Sequence, residues 1–349
     1  MNNHLSEALN TVSARDLLRE GRHHDIGGRL AEAMDCYAAA IELTRDGSDP
    51  RLQAEGLRRL GVLHHLRSEP EIARDLCQRS WDLALKGGAD DLAADACNAL
   101  AGFALERGDL EEAVEKCRYA LRLAGETPTL VAKIEQNLGI IANIRGQWTE
   151  ALKHYRCSLA AYEAIQDERG CAIAHHNLGL IHADRKQWME ADRHYRTSKA
   201  FAEAAGDHHL KGLVALNRAE VRLAVDDIAG ARAESEQALR AFQKIDARRD
   251  ISGAHRMLGM VFKRLGRPAM AESHLRSALE IAANASCPLS EADAAKELAG
   301  LYRIQGRHED AIARLKQARK LYEKLQAASD LSEIDEQIAD INHCRRAHA

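Results

Sequence analysis

The chain has 349 residues, 46% of them hydrophobic but only 4% aromatic, with five prolines and a formal net charge of −4. That balance argues against a β-rich fold, which draws on Val, Ile, Tyr and Phe, and it provides no general attraction to nucleic acid or an anionic membrane. No stretch approaches the roughly 20 consecutive apolar residues that span a bilayer, and the opening MNNHLSEALNTVSARDLL lacks the apolar run of a signal peptide.

Residues 1–13 precede any regular pattern and are expected to fray. From residue 14 onward small residues recur in step, dividing the chain into units 14–53, 54–93, 94–131, 132–171, 172–211, 212–251, 252–291 and 292–328. Each unit carries a first small residue (Gly21, Gly61, Ala101, Gly139, Gly179, Ala219, Gly259, Ala299) and, twelve residues on, an alanine (33, 73, 113, 151, 191, 231, 271, 311). Seven residues later comes a third: Ala40, Ser80, Ala120, Ser158, Ser198, Ala238, Ala278 and Ala318. Successive units are 40 residues apart, with one step of 38. Self-similarity at such a period marks a solenoid, in which each unit packs on its neighbours.

The fifth unit shows the local pattern. Ile173, His176, Leu178, Gly179, Ile181 and His182 fall at helical spacing. DRKQW interrupts it, a second helix runs from about Trp188 to Ala205, and Gly206-Asp207 closes that helix. Five inter-helix turns carry a glycine (Gly28, Gly108, Gly146, Gly266, Gly306), which accepts a left-handed backbone without steric cost. The small positions let paired helices approach, where a larger side chain would overpack the contact by about 1–3 kcal/mol. Over 329–349, Leu331, Ile334, Ile338 and Ile341 share one face. This predicts a helix, capped at Ser329 or Asp330, that covers the last unit, followed by a tail.

Small residues at the eighth, twentieth and twenty-seventh positions, with leucine before the eighth, resemble the tetratricopeptide repeat; NLGIIANIRGQWTEALKHYRCSL and NLGLIHADRKQWMEADRHYRTSK match its pattern closely. The resemblance implies an all-α, right-handed α-solenoid (superhelix) of eight helix-turn-helix repeats plus a C-terminal capping helix. The spacing exceeds the usual period of about 34 residues. In this it is similar to the elongated variant of the Pins/LGN polarity scaffolds, kinesin light chains and bacterial peptide-sensing regulators. The chain departs from the pattern at Arg218, where leucine is expected, and repeats 2, 5 and 6 lack the turn glycine.

The resemblance also implies that the first helix of each repeat lines a concave groove, with its second, fifth, sixth, ninth and twelfth positions inward. The sixth position is Asn137, Asn177 and Asn217 in three consecutive repeats. Asparagine is a mediocre helix former, but its amide offers donors and an acceptor that can hold an extended peptide backbone. A solvated residue, or one that bonds the neighbouring repeat, would suit the same position. Around these lie Gln136, Ile140, Asn143, His176, Leu180, Leu216 and Glu220. Further on, Arg256, Lys263, Arg264, Lys296 and Arg303 alternate with Asp293 and Glu297, either to hold an acidic segment or as a mixed solvated face. At the other end Arg19, Arg22, Arg58, Arg59 and His65 point inward. They form no continuous basic stripe and have no stacking platforms, so no nucleic-acid partner is expected.

Seventeen histidines include four adjacent pairs, at 23–24, 64–65, 175–176 and 208–209. Neighbours on a helix diverge by about 100° and cannot chelate one ion together, so they read as packing residues and no metal or cofactor is expected. Eight cysteines without a CxxC pair fit a reducing, cytoplasmic compartment, with Cys77 and Cys117 as buried space-fillers. Trp148 and Trp188 are expected to pack on the preceding helix, and Trp81 within its unit. No GxSxG, P-loop or HExxH occurs, so the chain is expected to be no enzyme. The expectation is a protein-protein interaction scaffold that binds a peptide or partner segment, centred on repeats 4–6. The alternative is a sensory module of bacterial signal transduction, acting in trans or within a larger protein, whose superhelix pitch responds to a peptide or small ligand. Self-association remains open.

Overall fold

A computed structural model describes residues 13–26, 29–67, 69–325 and 327–347. The fraying expected of residues 1–12 and the turn glycine Gly28 lie outside the described residues. Among those described are seventeen helices and no strand, grouped into two compact units that divide after Asp167. The first unit holds α1 (Ala14–Ile26), α2 (Leu30–Leu43), α3 (Pro50–Leu66), α4 (Pro70–Lys86), α5 (Asp90–Glu106), α6 (Leu110–Ala124), α7 (Pro128–Ile144) and α8 (Trp148–Ala164). The second holds α9 (Glu168–Asp184), α10 (Trp188–Ala204), α11 (His208–Ala224), α12 (Ile228–Lys244), α13 (Arg248–Arg264), α14 (Pro268–Asn284), α15 (Pro288–Ile304), α16 (His308–Leu325) and α17 (Ala328–Ala347).

Each odd-numbered helix pairs with the even one that follows it, and the small positions explain how. Gly61, Gly139 and Gly179 leave room for a large or polarisable side chain of the partner helix. An added Cβ would lie 2.7 Å from Cys77 Sγ at Gly61, and would overlap the Tyr155 and Tyr195 rings at the other two. At Gly139 and Gly179 the close approach is therefore lopsided: the glycine on one helix faces an aromatic ring on the other, rather than a second small residue. The third small position has another use where it is serine. Ser80, Ser158 and Ser198 each donate a buried hydroxyl to the first-position carbonyl of the paired helix, Ala54, Ala132 and Ala172, at 2.7, 2.8 and 2.7 Å. A buried hydroxyl without such a partner would be costly.

From repeat 3 onward the turn within each pair holds a left-handed residue. Gly108, Gly146, Gly266 and Gly306 supply it, with φ of 81°, 68°, 65° and 74°. Repeats 5 and 6 adopt the same conformation without glycine, at Lys186 (φ 56°) and Asp226 (φ 64°). An L-residue there carries roughly 1–2 kcal/mol of strain, partly offset by the backbone entropy glycine loses on folding. Lys186→Gly is therefore expected to stabilise the chain by about 0.5–1 kcal/mol, read as a rise in the thermal midpoint. An unchanged or lowered midpoint would contradict the strain at this turn.

In the first unit α1 packs on α3, α3 on α5 and α5 on α7; in the second α9 packs on α11, α11 on α13 and α13 on α15. The even helices form no comparable layer among the described residues. The odd helices thus make the tighter, inner layer of each unit, and their outward-turned positions form its inner face. At the C-terminal end α17 lies on α16. Ile334 and Ile341 are buried against Leu298, Leu315 and Tyr322, with Leu331 and Ile338 packed beside them. This is the covering helix expected from the pattern of isoleucines. No described helix is long and apolar enough to cross a membrane.

Candidate functional site on the inner helices

The inner face of the first unit is built by α3, α5 and α7. Asn137 on α7 donates Nδ2 to Asn98 Oδ1 on α5 at 2.9 Å. The sixth position of one repeat thus reaches the fifth position of the repeat before it. Asn98 was not singled out from the sequence, since it sits one place off the asparagine register. Around the amide pair, Asp95 holds Arg58 at 3.0 Å and Lys133 at 3.7 Å. His65 is fixed by Glu106 at 2.8 Å and stacks on Phe103 with ring centroids 4.3 Å apart. These residues, with Val62, Ala99 and Gly102, line a depression of about 270 Å³. Of the other expected residues, Gln136 accepts from the Tyr162 hydroxyl at 3.3 Å, while Ile140 and Asn143 are half-buried on α7.

In the second unit the same geometry recurs between α9 and α11. Asn217 donates Nδ2 to His176 Nε2 at 2.8 Å, again from a sixth position to the preceding fifth. Burial pushes His176 down to about 4, so the ring is neutral and its Nε2 is free to accept. Asn177 is 8% exposed and its Nδ2 has no partner. A buried amide donor left unpaired costs stability. Leu180 packs beside Tyr195, and Leu216 bridges two clusters on α11 and α13. Glu220 is exposed.

The basic residues expected further along are largely spoken for. Lys263 pairs with Glu297 at 2.6 Å and Lys296 with Glu333 at 2.6 Å, and Arg256 rests on the Met260 sulfur at 3.8 Å. Arg264 pairs with Asp226. Lys263, Arg264 and Lys296 are thus matched inside the chain, which leaves Arg256 and the exposed Arg303 as the basic groups of this face without an ion pair among the described residues.

Arg218, the departure from the leucine pattern, is 6% exposed on α11 and bonds Asp192 on α10 at 2.9 Å and Glu234 on α12. Cys77 and Cys117 are buried and unreactive, their thiols pushed up to about 12 by burial. His24, His64 and His182 each bond the residue five places on, Arg29, Glu69 and Gln187, across the turn to the next helix. Only Glu20, His24 and Cys36, among the described residues, bring three metal-ligand atoms together. Arg29 Nε donates to His24 Nδ1 at 2.8 Å, which leaves the proton on Nε2 and blocks that nitrogen as a ligand. Trp188 packs as expected against the second unit's core, whereas Trp148 is 44% exposed. Trp81 meets Tyr119 edge-on at 5.5 Å.

Residues 249–324 match the family model described as tetratricopeptide repeat. No curated protein matches the chain. Among solved structures, the chain is similar to a signal transduction ATPase with numerous domains (STAND) carrying a tetratricopeptide repeat sensor, from Pyrococcus horikoshii. The TM-score is 0.69 at 17% identity, over 95% of this chain and 50% of that one. The chain thus spans half the length of that protein. It is also similar to a Rap protein complexed with competence and sporulation factor (TM-score 0.64, 10% identity, 96% of this chain and 99% of that one). A third likeness is to aspartyl phosphate phosphatase F from Bacillus subtilis (TM-score 0.56, 13% identity, 95% and 94%). At such identities these are likenesses of fold.

Proposed function

We propose that this chain, a stack of tetratricopeptide repeats, is a non-catalytic adaptor that holds an extended peptide or partner segment on the inner helices of its units. The observation that carries this reading is the amide arrangement of the inner face. Asn98 with Asn137, and His176 with Asn217, place side-chain donors and acceptors on the inner helices. Such groups match the N–H and C=O of an extended backbone irrespective of its sequence. The aliphatic residues beside them, Ile140, Leu180 and Leu216, would choose among side chains. The similar Rap protein was solved with competence and sporulation factor bound, which agrees with a fold of this kind holding a partner.

The test is binding of peptides selected from a phage-displayed library of random linear sequences. Alanine at Asn137, Asn177 and Asn217 together is expected to weaken the selected peptides by at least about tenfold, since each lost hydrogen bond contributes roughly 0.5–1.5 kcal/mol. Helicity by circular dichroism should persist. Unchanged affinity in the triple variant would remove the amides from the binding site.

A further inference from the structure

The inner face of the first unit has a notch at Gly102. Aliphatic residues hold the ninth position in the repeats on either side, Val62 and Ile140, and glycine interrupts them. A glycine inside a helix weakens it relative to any ordinary residue, so its presence calls for a packing reason. The pairing glycines Gly61, Gly139 and Gly179 have one, because a Cβ at each would collide with the partner helix. At Gly102 a Cβ would meet nothing within 4 Å. The space it leaves is open and belongs to the 270 Å³ depression.

From this we infer that the notch is a seat for one bulky, uncharged apolar side chain, aliphatic or aromatic, of an extended peptide whose backbone amide meets Asn98 and Asn137. The inference rests on the adaptor reading above and deepens it.

Three features of the walls select that occupant. His65 and Phe103, stacked face to face and held by Glu106, offer a flat ring surface beside the open floor. The charged groups of the walls are engaged within the chain: Asp95 meets both Arg58 and Lys133, and Glu106 meets His65. A charged side chain entering here would shed water and have to compete with these contacts for its counter-charge, a cost that an apolar side chain avoids. The amides are the complement. Asn98 is 9% exposed, and among the described residues its only side-chain hydrogen bond is the one its Oδ1 accepts from Asn137. Its Nδ2 and the Oδ1 of Asn137 therefore remain as one donor and one acceptor, the pair a peptide unit satisfies.

The experiment selects peptides on the full-length chain from the phage-displayed random library, then measures the same peptides on Gly102→Leu and Gly102→Ala. Leucine would fill the notch with a side chain of the kind its neighbours carry, and helix propensity favours both replacements. The wild type is expected to select Leu, Ile, Met, Phe or Tyr at one fixed position. Gly102→Leu should then weaken those peptides more than about tenfold with no fall in thermal midpoint, while Gly102→Ala should weaken them only a few-fold. Selected peptides that bind Gly102→Leu as tightly as wild type would overturn the notch and leave the adaptor reading standing. A preference for charged residues at the position sensitive to residue 102 would equally overturn it. If the wild type selects no peptide at all, the adaptor reading falls and the notch with it.

Discussion

Arg218→Leu is expected to destabilise the second unit by about 3–5 kcal/mol, although leucine occupies the same position in six other repeats, at residues 60, 100, 138, 178, 258 and 298. The guanidinium is buried between Asp192 and Glu234, from the helices on either side. Removing it leaves two poorly hydrated carboxylates with only Arg196 at 2.8 Å from Asp192 and Lys199 at 3.9 Å from Glu234 to balance them, and the larger part of the loss is that undercompensated charge rather than the bonds themselves. The carboxyl of Asp192 shows the balance: burial pushes it up, but the bond and charge of Arg218 hold it below the usual carboxylate range. A lowered folded value stabilises the native state above the unfolded pKa of about 3.9 and loses that contribution only as pH falls through the folded value. The deficit of Arg218→Leu should therefore be full at neutral pH and shrink in acid, as the freed carboxylates take up protons. A compensated variant separates charge from packing. Arg218→Leu with Asp192→Leu and Glu234→Leu uses residues found at the equivalent positions, Leu152 and Leu76, and should regain wild-type stability to within about 1 kcal/mol or exceed it. Urea denaturation of the two variants checks this; a single variant as stable as wild type would mean the triad contributes nothing.

Arg218 also marks the boundary of what the sequence makes legible. The period, the helix pairs and the covering helix follow from positions that the backbone itself constrains, and these recur because every repeat solves the same packing problem. The departure at 218 was visible, but its partners lie 26 and 16 residues away on other helices, and nothing in a period says which acid faces which base. The same holds at the candidate site. The recurring sixth-position asparagines could be read off, whereas their partners could not, because Asn98 and His176 belong to a different register position and differ in chemistry. Lys263 looked available to a ligand until Glu297, 34 residues on, proved to hold it. Gly102 reads in the sequence as one more small residue; only the empty space above it separates it from the glycines that serve packing.

Those packing glycines carry the second large expectation. Tyr195 is 1% exposed, its ring lying where a Cβ on Gly179 would be. Tyr195→Ala removes a buried ring that the rigid helix pair cannot collapse around, and should cost about 3–5 kcal/mol. Gly179→Ala alone should also destabilise, by overpacking worth about 1–3 kcal/mol less the helix propensity that alanine restores. The two losses are not independent. Where the chain carries alanine at the eighth position, it has a smaller partner sixteen residues on: Cys117 opposite Ala101, Ser235 opposite Ala219 and Leu315 opposite Ala299. Tyrosine occurs only opposite glycine, as in Gly21 with Tyr37 and Gly139 with Tyr155. In the Tyr195→Ala background Gly179→Ala should therefore change sign and stabilise by roughly the propensity difference, about 1 kcal/mol. The double-mutant cycle, read by urea denaturation, should give a coupling between residues 179 and 195 of about 1–3 kcal/mol. Additive losses would mean that the ring and the glycine do not share one volume, and that the eighth position is small for some other reason.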